Sequence, residues 1–423
     1  MDDFIYIKDV ISVSPKLFQN YAARPECPHW DKLISRLSPM QLRPGEMRSE
    51  FGRDYTRILH SNAYRRLKHK TQVFLNIEND HICTRMEHVA HVESVSNTIA
   101  TELGLNTELT KAISIGHDLG HAPFGHLGER IIKELRKKHL NKDFWHEQNG
   151  LYFVDKIELL KNEYNQGKNL NLTYAVRDGI ICHCGEVDEN QLRPRKDFID
   201  LNSIVTPGQV APVTWEGCIV KVSDKIAYVG RDIEDAKSLG FLDKEEQKEL
   251  NTIFDKVTNT TVIMYELITD ICQHSNPQDG IRLSHEMLAK LDAVKAFNYK
   301  YIYTNPRLTP YNNYATLIVN EIFNFLMQGY NSTTNAVNWN YFQANAQRYP
   351  ELVVGFTERI IRYCNAEILD CQQKGYAQNY QNLKIYGNMD RQEIYIQAVL
   401  DYISGMTDRF AIAAFNELLT FKK

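Results

Sequence analysis

The chain has 423 residues, of which 43% are hydrophobic and 24% are charged. This balance is typical of a globular protein with a sizeable core, so it excludes a disordered chain, and the length allows either one large helical domain or about two or three average ones. The formal net charge of −4 at pH 7 excludes a positive field over the whole protein that would attract nucleic acid.

Helical periodicity dominates the chain, and the alternation expected of β-strands is nearly absent. Segment 85–105 has helical spacing and stops near Gly104, which suits a C-terminal cap. Segment 106–121 follows the same spacing, and either Asn106 or Thr107 can cap its start. The other segments with helical spacing are, in chain order, 126–140, 149–164, 245–274 and 392–419. We therefore predict an all-α fold.

Four stretches are predicted to be loops because they are rich in proline, glycine or polar residues and lack periodicity. They are 185–216, 273–282, 304–312 and 372–392. None of them has the composition of a long flexible linker, and the sequence contains no internal repeat or low-complexity tract. We therefore predict a single large helical domain over residues 1–423, with these stretches as loop insertions.

The 8 cysteines form neither CxxC pairs nor a regular framework. The stretch "CHCGE" at 182–186 looks like a fragment of a zinc site, but its second half is missing, so reduced thiols are the simpler interpretation. The start of the chain, "MDDFIYIKDV", lacks the basic and apolar character of a signal peptide. No apolar run approaches the ~20 residues of a membrane helix. We expect a soluble, cytoplasmic protein with no membrane partner.

Histidine and aspartate are concentrated in the stretch "AISIGHDLGHAPFGHLGER", residues 112–130. It holds His117, Asp118, His121 and His126, although the whole chain has only 14 histidines. Adjacent side chains on a helix diverge by about 100°, so His117 and Asp118 can share one ion only if it lies beside the helix and other helices supply further ligands. Imidazole nitrogen and carboxylate oxygen together suit Mn²⁺, Fe²⁺ or another first-row divalent ion.

Two other helical segments offer the missing ligands. His88 lies in "RMEHVAHV", three residues after Arg85, and Asp224 lies in "IVKVSDKIAYVGRDIEDA" among apolar residues. A carboxylate in such surroundings is expected to be partly buried and to need a partner, which a metal ion would provide. A salt bridge from Asp224 to Lys225 or Arg231 is the alternative, although a neighbour at i+1 points away.

The motifs together resemble the HD-domain deoxynucleoside triphosphate triphosphohydrolases, the dGTPase-like branch of the HD superfamily. The resemblance is carried by segments 52–74, 84–95, 116–129, 144–150, 222–236, 295–308 and 400–411, of which "GHDLGHAPFGHLGE" is the most specific. It implies a helical bundle with an HD core at about 50–236 and additional C-terminal helices at about 237–423. The HD pattern H…HD…D falls on His88, His117, Asp118 and Asp224, which by this resemblance bind one divalent metal ion per subunit, such as Mn, Mg or Fe.

The reaction implied by the resemblance is water attack on the α-phosphorus of a dNTP, which yields the deoxynucleoside and intact inorganic triphosphate; a preference for dGTP is left open. Such a reaction needs an activated water, cations around the triphosphate and a proton donor for the leaving 5′-oxygen. By resemblance, His126 and Glu129 form an acid–base dyad in which Glu129 polarises His126. His121 and His146 are expected to contact phosphate oxygens or to assist the proton transfer.

Phosphate and sugar contacts are expected from residues near the metal ligands. Arg85 and Lys225 are the predicted partners of the α- or β-phosphate. A further phosphate contact is predicted for Arg53, which lies in the basic segment 43–70. For each of these three residues a surface ion pair is the alternative interpretation.

The sugar is expected at a stripe of side chains that runs along one helix. By resemblance, Gln72, Tyr228 and Asp232 recognise the sugar. Asp232 lies eight residues after Asp224, or about 12 Å along a helix, which is a reasonable distance from the α-phosphate to the 3′-hydroxyl. For Tyr228, core packing is the alternative interpretation.

Two other functions fit the residues less well. One is an HD phosphohydrolase that acts on a different nucleotide, and the other is a catalytically silent protein that senses nucleotides or binds nucleic acid. The resemblance also implies a homo-oligomer, with a hexamer among the forms to expect, and a single-stranded DNA or effector-nucleotide partner. The C-terminal "DYISGMTDRFA" has no chemical role that the sequence indicates, and Asp408 and Arg409 are expected to cap or bridge helices.

Overall fold

The computed structural model describes residues 16–40, 44–74, 79–184 and 190–420. In these ranges the regular structure is helical apart from two small antiparallel hairpins, so the predicted all-α fold is confirmed. The strands are β1 (Leu159–Lys161) paired with β2 (Gly167–Asn169), and β3 (Tyr330–Asn331) paired with β4 (Ala336–Val337).

The helices of the first half surround the histidine-rich stretch. They are α1 (Trp30–Leu33), α2 (Glu50–Leu59), α3 (Asn62–Arg66), α4 (Arg85–Leu103), α5 (Thr107–Gly116), α6 (Gly125–Leu140), α7 (His146–Tyr152), α8 (Tyr174–Cys182) and α9 (Trp215–Ser238). A 3₁₀ turn, His117–Gly120, follows α5 directly, and a π-helical turn, Phe153–Ile157, follows α7.

The helices of the second half pack against this group. They are α10 (Lys244–Phe254), α11 (Thr260–His274), α12 (His285–Asn298), α13 (Thr309–Met327), α14 (Trp339–Asn345), α15 (Pro350–Tyr363), α16 (Cys371–Ala377), α17 (Gln392–Ser404) and α18 (Asp408–Leu419). Among the described residues, no helix is both long enough and apolar enough to cross a membrane.

Local capping chemistry fixes the ends of α4 and α5. Thr84 and Glu87 form a capping box at the start of α4, and the helix ends at Gly104, whose φ of 83° is left-handed. The side chain of Asn106 accepts hydrogen bonds from the backbone N–H groups of Glu108 and Leu109. The cap predicted at Gly104 and the Asn106 alternative for α5 are therefore confirmed.

Some predicted boundaries were wrong because local caps or a first-turn proline start or end helices where the hydrophobic pattern gives no sign of it. The predicted helix 245–274 is two helices, since α10 ends at Asp255 in a left-handed conformation and Asn259 caps α11. The predicted loop 304–312 contains the start of α13, which has a proline in its first turn, where the missing N–H does no harm. The predicted loop 372–392 begins with α16, which has a capping box at Asp370.

Three hydrophobic clusters form the core. One joins α4, α5 and α8, a second joins α9 to the helices α10–α12, and a third fills the C-terminal half. The C-terminal cluster includes Ile131, Ile132 and Leu135 of α6, so the C-terminal helices share a core with the helix that follows the histidine-rich stretch. The division into an HD core and a C-terminal helical part stays a prediction.

Candidate active site

A cavity of about 420 Å³, here called the histidine cavity, lies between α4, α9 and the start of α13. The predicted site residues that line it are Gln72, Arg85, His88, Asp118, His121, His126, His146, Asp224, Lys225, Tyr228 and Asp232. His117 and Glu129 do not line it, but each contacts residues that do. Residues far apart in the sequence therefore meet at one place.

Four side chains, here called the ligand cluster, converge at one end of this cavity: His88, His117, Asp118 and Asp224. His88 Nε2 lies 2.9 Å from Asp224 Oδ1. His117 Nε2 lies 3.4 Å from Asp118 Oδ1 and 3.7 Å from Asp224 Oδ1. The cluster brings together α4, the 3₁₀ turn after α5, and α9.

The ligand cluster fits a divalent metal ion. His117 Nδ1 is 2.6 Å from the Ser114 carbonyl oxygen, to which it donates, so Nε2 carries a lone pair. That Nε2 is buried and has no hydrogen-bond partner. A buried imidazole nitrogen facing two carboxylates is the donor set that first-row divalent ions bind, and among the described residues His88, His117 and Asp118 place one ligand atom each within 4.8 Å of one another.

Both carboxylates of the ligand cluster are held in the ionised form. Burial acts to raise the pKa of Asp224, but the hydrogen bond from His88 and the neighbouring imidazoles bring it below its usual value. Burial also acts to raise the pKa of Asp118, while His121, His117 and Arg85 hold it well below its usual range. An ionised carboxylate is the form that binds metal.

Gly120 sets the distance between the ligand cluster and α7. A Cβ at this position would come within 2.0 Å of the His146 carbonyl oxygen and 2.1 Å of the Gly150 nitrogen. Only glycine therefore lets the turn 117–120 lie against α7, which carries His146 into the cavity.

Three of the imidazoles that line the cavity form a group with Glu129, which lies outside the lining. The rings of His121 and His146 stack with centroids 3.7 Å apart. Glu129 Oε2 lies 3.2 Å from His146 Nδ1 and 3.6 Å from His126 Nδ1, and Glu129 Oε1 accepts a hydrogen bond from the His146 backbone. Glu129 thus holds His146 more closely than His126, whose side chain is 76% exposed. His126 and Glu129, the predicted dyad, are thus in contact, but at a longer distance than His146 and Glu129.

The charges in this group are set by burial and by neighbouring charges. Burial acts to lower the pKa of His146, but Glu147 and Glu129 raise it well above its usual value. Burial, together with Arg85 and His146, holds the pKa of His121 well below its usual value. For Glu129, burial acts to raise the pKa, yet the His146 charge lowers it below its usual value. The surroundings therefore shift the pKa values of the two stacked rings in opposite directions.

Of the cations predicted to bind phosphate, Arg85 and Lys225 line the cavity and Arg53 does not. Arg85 is only 1% exposed, and its Nη1 donates to Asp118 Oδ2 at 2.8 Å, while its Nε and Nη2 are buried without a partner. Lys225 lines the cavity, as does Lys221, which the sequence interpretation missed. Arg53 is not among the lining residues, because its guanidinium bonds to Glu50 and to the Arg48 carbonyl. Arg53 therefore lies outside the lining of the cavity, and its contact with the substrate stays a prediction.

The end of the cavity at Asp232, eight residues along α9 from Asp224, carries a polar atom without a partner. Asp232 is buried, its Oδ2 accepts a hydrogen bond from Tyr303 at 2.5 Å, and its Oδ1 has no partner. Gln72 Oε1 is also buried and without a partner. Burial raises the pKa of Asp232 to about 7. Tyr228 lines the cavity between this end and Asp224.

Sequence interpretation missed several lining residues: Lys221, His183, Cys184, Tyr303, Tyr311 and Asn312. Tyr303 lies in segment 295–308, which carried part of the resemblance but received no role. The "CHCGE" stretch gave a signal for the histidine and the cysteine that was set aside because a second half was missing from the nearby sequence.

Asp408 gives the C-terminal "DYISGMTDRFA" segment a structural role. Its two carboxylate oxygens accept hydrogen bonds from the backbone of Thr71 at 2.9 Å and of Phe124 at 2.8 Å. Phe124 has a left-handed φ of 65° just before α6. Asp408 therefore ties together the two loops that precede Gln72 and His126, as the expectation of a bridging residue required.

Comparisons with known proteins identify the family of this chain. An HD domain model matches residues 85–229, and a phosphohydrolase-associated domain model matches residues 281–354. A deoxyguanosinetriphosphate triphosphohydrolase-like protein of Caldanaerobacter subterraneus is 31% identical over 374 residues, which cover 88% of this chain and 86% of that protein. A protein of the same name from Rickettsia bellii is 31% identical, and the match covers 92% of this chain and 96% of that protein. Another from Desulfatibacillum aliphaticivorans is 36% identical, and the match covers 67% of this chain and 75% of that protein.

Proposed function

Since the chain belongs to the dGTP triphosphohydrolase-like family of HD-domain phosphohydrolases, we propose that it hydrolyses dNTPs, dGTP among them, to the deoxynucleoside and inorganic triphosphate. The single observation that supports this most is the arrangement of the histidine cavity. The lining of this one cavity brings together a cluster suited to a metal, three imidazoles and buried polar atoms without partners.

In this proposal the ligand cluster holds one divalent ion, Mn²⁺, Mg²⁺ or Fe²⁺. When bound, such an ion would acidify a water and offset charge on the α-phosphate. HD domains are metal-dependent, and the described residues include His and Asp groups that could hold an ion.

Arg85 is the proposed phosphate-binding residue with the best-defined geometry. Its bond to Asp118 fixes the guanidinium, and its two buried nitrogens without partners need acceptors. Phosphate oxygens would satisfy both, and charge-assisted bonds of this kind are about twice as strong as neutral ones. Lys225, which also lines the cavity, would contact the same triphosphate.

His126 is proposed to protonate the leaving 5′-oxygen. Its exposed side chain can move toward a bound substrate and can exchange its proton with solvent, whereas His146 and His121 are buried. Glu129, whose Oε2 lies 3.6 Å from His126 Nδ1, would orient the ring toward the leaving oxygen. His146 and His121 would then contact phosphate oxygens.

Asp232, Gln72 and Tyr228 are proposed to select the deoxyribose. The partnerless Oδ1 of Asp232 would accept a hydrogen bond from the 3′-hydroxyl, and Gln72 would lie beside it. Tyr228 would pack against the 2′ carbon and leave no room for a hydroxyl group, which typically gives discrimination of about 10²-fold.

The test is to incubate the protein with Mn²⁺ or Mg²⁺ and each dNTP or NTP, and to separate the products. Deoxynucleoside and triphosphate from dNTPs, with little turnover of NTPs, is the expected result. Pyrophosphate or phosphate as the product would favour another HD phosphohydrolase reaction. Binding without turnover would favour a silent nucleotide sensor.

The partners are proposed in the same way. A homo-oligomer, with a hexamer as one form to test, is proposed on the family resemblance, and light scattering after size exclusion would measure it.

A cytoplasmic location is proposed because the cysteines whose side chains are described are free thiols.

A polyanionic effector, either single-stranded DNA or a second nucleotide, is proposed to use a separate basic cleft of about 620 Å³. Five cations line this basic cleft, namely Arg65, Arg66, Lys161, Arg359 and Arg362, and Tyr363, Tyr380 and Tyr402 lie among them. Fluorescence anisotropy with a labelled oligonucleotide and with a labelled nucleotide would identify the effector. Loss of the signal in Arg359→Ala is expected, and an unchanged affinity would remove the cleft from the proposal.

A further inference from the structure

A second group of metal-binding side chains lies next to the ligand cluster. His146, His183 and Cys184 each place one ligand atom within 4.8 Å of the others. His146 comes from α7, while His183 and Cys184 follow α8 directly. We propose that these three residues, here called the thiol cluster, bind a second cation, Zn²⁺ or another first-row ion with an affinity for thiolate.

The two histidines are oriented as metal ligands. His146 Nδ1 lies 3.2 Å from Glu129 and 3.4 Å from Glu147, and His183 Nδ1 donates to the Ile180 carbonyl at 2.7 Å. A carboxylate or carbonyl partner on one ring nitrogen fixes the tautomer and leaves Nε2 to bind the metal, as in many zinc sites. The same arrangement on both rings is what a metal site requires, although neither contact alone would establish one.

The distance across the thiol cluster also suits zinc. Cys184 Sγ lies 3.6 Å from His146 Nε2. Tetrahedral zinc with bonds of about 2.3 Å to sulfur and about 2.0 Å to nitrogen places those two ligand atoms about 3.5 Å apart. A simple thiol–imidazole hydrogen bond has a similar length, so the third ligand, His183, is what distinguishes the proposed site from such a bond.

The donor atoms separate this site from the ligand cluster. Two nitrogens and a thiolate favour zinc, while two imidazoles and two carboxylates accept harder ions such as Mn²⁺. The sites are neighbours, because His183 also lies within the same 4.8 Å limit of His117 and Asp224. The Cys184 carbonyl accepts a hydrogen bond from Lys221 at 2.7 Å, which holds this part of the chain in place.

A cation in the thiol cluster would change the role of His146. Its Nε2 would be occupied by the metal, so His146 would orient the centre rather than carry a proton. His126 would remain as the proton carrier of the proposed reaction. The second site does not depend on that reaction, because it rests on the geometry of three side chains.

The test uses Co²⁺, which reports thiolate ligation through a sulfur-to-cobalt charge-transfer band in the near ultraviolet. Metal-free protein is titrated with Co²⁺, and the band is followed together with the number of ions bound. The wild type should show the band, Cys184→Ser should lose it together with about one equivalent of bound ion, and His88→Ala, altered in the ligand cluster only, should keep it.

Cys182→Ser is the matched control. Cys182 is two residues away, and its Sγ faces Asp178 and Arg195 at 3.8 Å rather than the cavity. This variant should retain the band, and circular dichroism of both serine variants should show that the fold is unchanged. A wild type without the band, or a band that survives in Cys184→Ser, would overturn the proposal whatever the outcome for dNTP hydrolysis.

Discussion

In the histidine cavity three cations lie among carboxylates and imidazoles, whereas in the basic cleft five cations lie beside Glu158, the one carboxylate among its described lining residues. The cavity orients its charges through buried contacts such as Arg85–Asp118 at 2.8 Å. In the cleft, Arg65 and Lys161 are exposed, and the Arg362 side chain is 33% exposed. Buried contacts therefore hold charged side chains of the cavity at fixed positions, while Arg65, Lys161 and Arg362 of the cleft expose part of their charge to solvent.

This comparison shows why local charge alone is a poor guide to chemistry. The cleft has more positive charge, but Arg65 and Lys161 are exposed, and an exposed charge contributes little by itself. The cavity has fewer cations, yet burial strengthens each interaction. Changes in the cavity should therefore have much larger effects on turnover than changes in the cleft.

The largest effect is expected from the ligand cluster. Asp118→Ala or Asp224→Ala removes one ligand and the metal contribution of several kcal/mol, so turnover should fall by about 10⁴-fold. Elemental analysis should show loss of bound ion. The control is Arg359→Ala in the basic cleft, which should keep the metal and change basal turnover by less than about 2-fold. Full metal occupancy and normal turnover in Asp118→Ala would contradict the site.

A smaller loss of turnover is expected when His126 or Glu129 is changed. His126→Ala and Glu129→Ala should each reduce the single-turnover rate by roughly 10²–10⁴-fold, the usual contribution of a general acid–base group. If the two residues act together, the double variant should be little worse than either single one. Multiplicative losses would show instead that Glu129 acts mainly through His146.

Changes at Asp232 and Tyr228 should affect the selectivity for the sugar more than the rate of turnover. Asp232→Ala leaves the 3′-hydroxyl without its partner, which costs about 1–3 kcal/mol, so KM for dGTP should rise and the preference over a dideoxy analogue should weaken. Tyr228→Ala should narrow the difference in kcat/KM between dGTP and GTP. Equal wild-type values for dGTP and GTP would remove the sugar pocket but leave the ligand cluster intact.

The smallest effect is a change of stability with pH at Asp232. Its pKa of about 7, raised by burial, means that the fold favours the neutral acid. That stabilisation is fully present below the normal pKa near 3.8 and is lost as the pH rises through about 7. Because the amide introduced by Asp232→Asn does not ionise, this variant should gain a few degrees in Tm over the wild type between pH 5 and pH 8. Calorimetry at both pH values measures this, and a constant difference would contradict the burial argument.

Local signals in the sequence predicted the parts of the fold that depend on neighbours in the chain. The caps at Gly104 and Asn106 follow from one or two residues, and both are present. The break between α10 and α11 was missed because a left-handed Asp255 interrupts the helix without any change in hydrophobic spacing. Helical spacing identifies a helical segment, but it does not locate a break between two helices of similar character.

Motifs in the sequence named most of the residues that meet in the cavity, whereas residues brought there by tertiary contacts were missed. The cavity brings together most of the residues that the resemblance named, but Arg53 turns toward Glu50 instead. The contact of His146 with Glu129, 17 residues earlier, and that of Cys184 with His146, 38 residues earlier, follow from how α6, α7 and α8 pack. No spacing rule in one sequence contains that information.

The most direct test of the proposed reaction is hydrolysis of dGTP in ¹⁸O-labelled water, with the products examined by mass spectrometry. Attack of water on the α-phosphorus should place the label in inorganic triphosphate and leave the 5′-hydroxyl of deoxyguanosine unlabelled. Labelled pyrophosphate or phosphate, or label in the deoxynucleoside, would contradict the account.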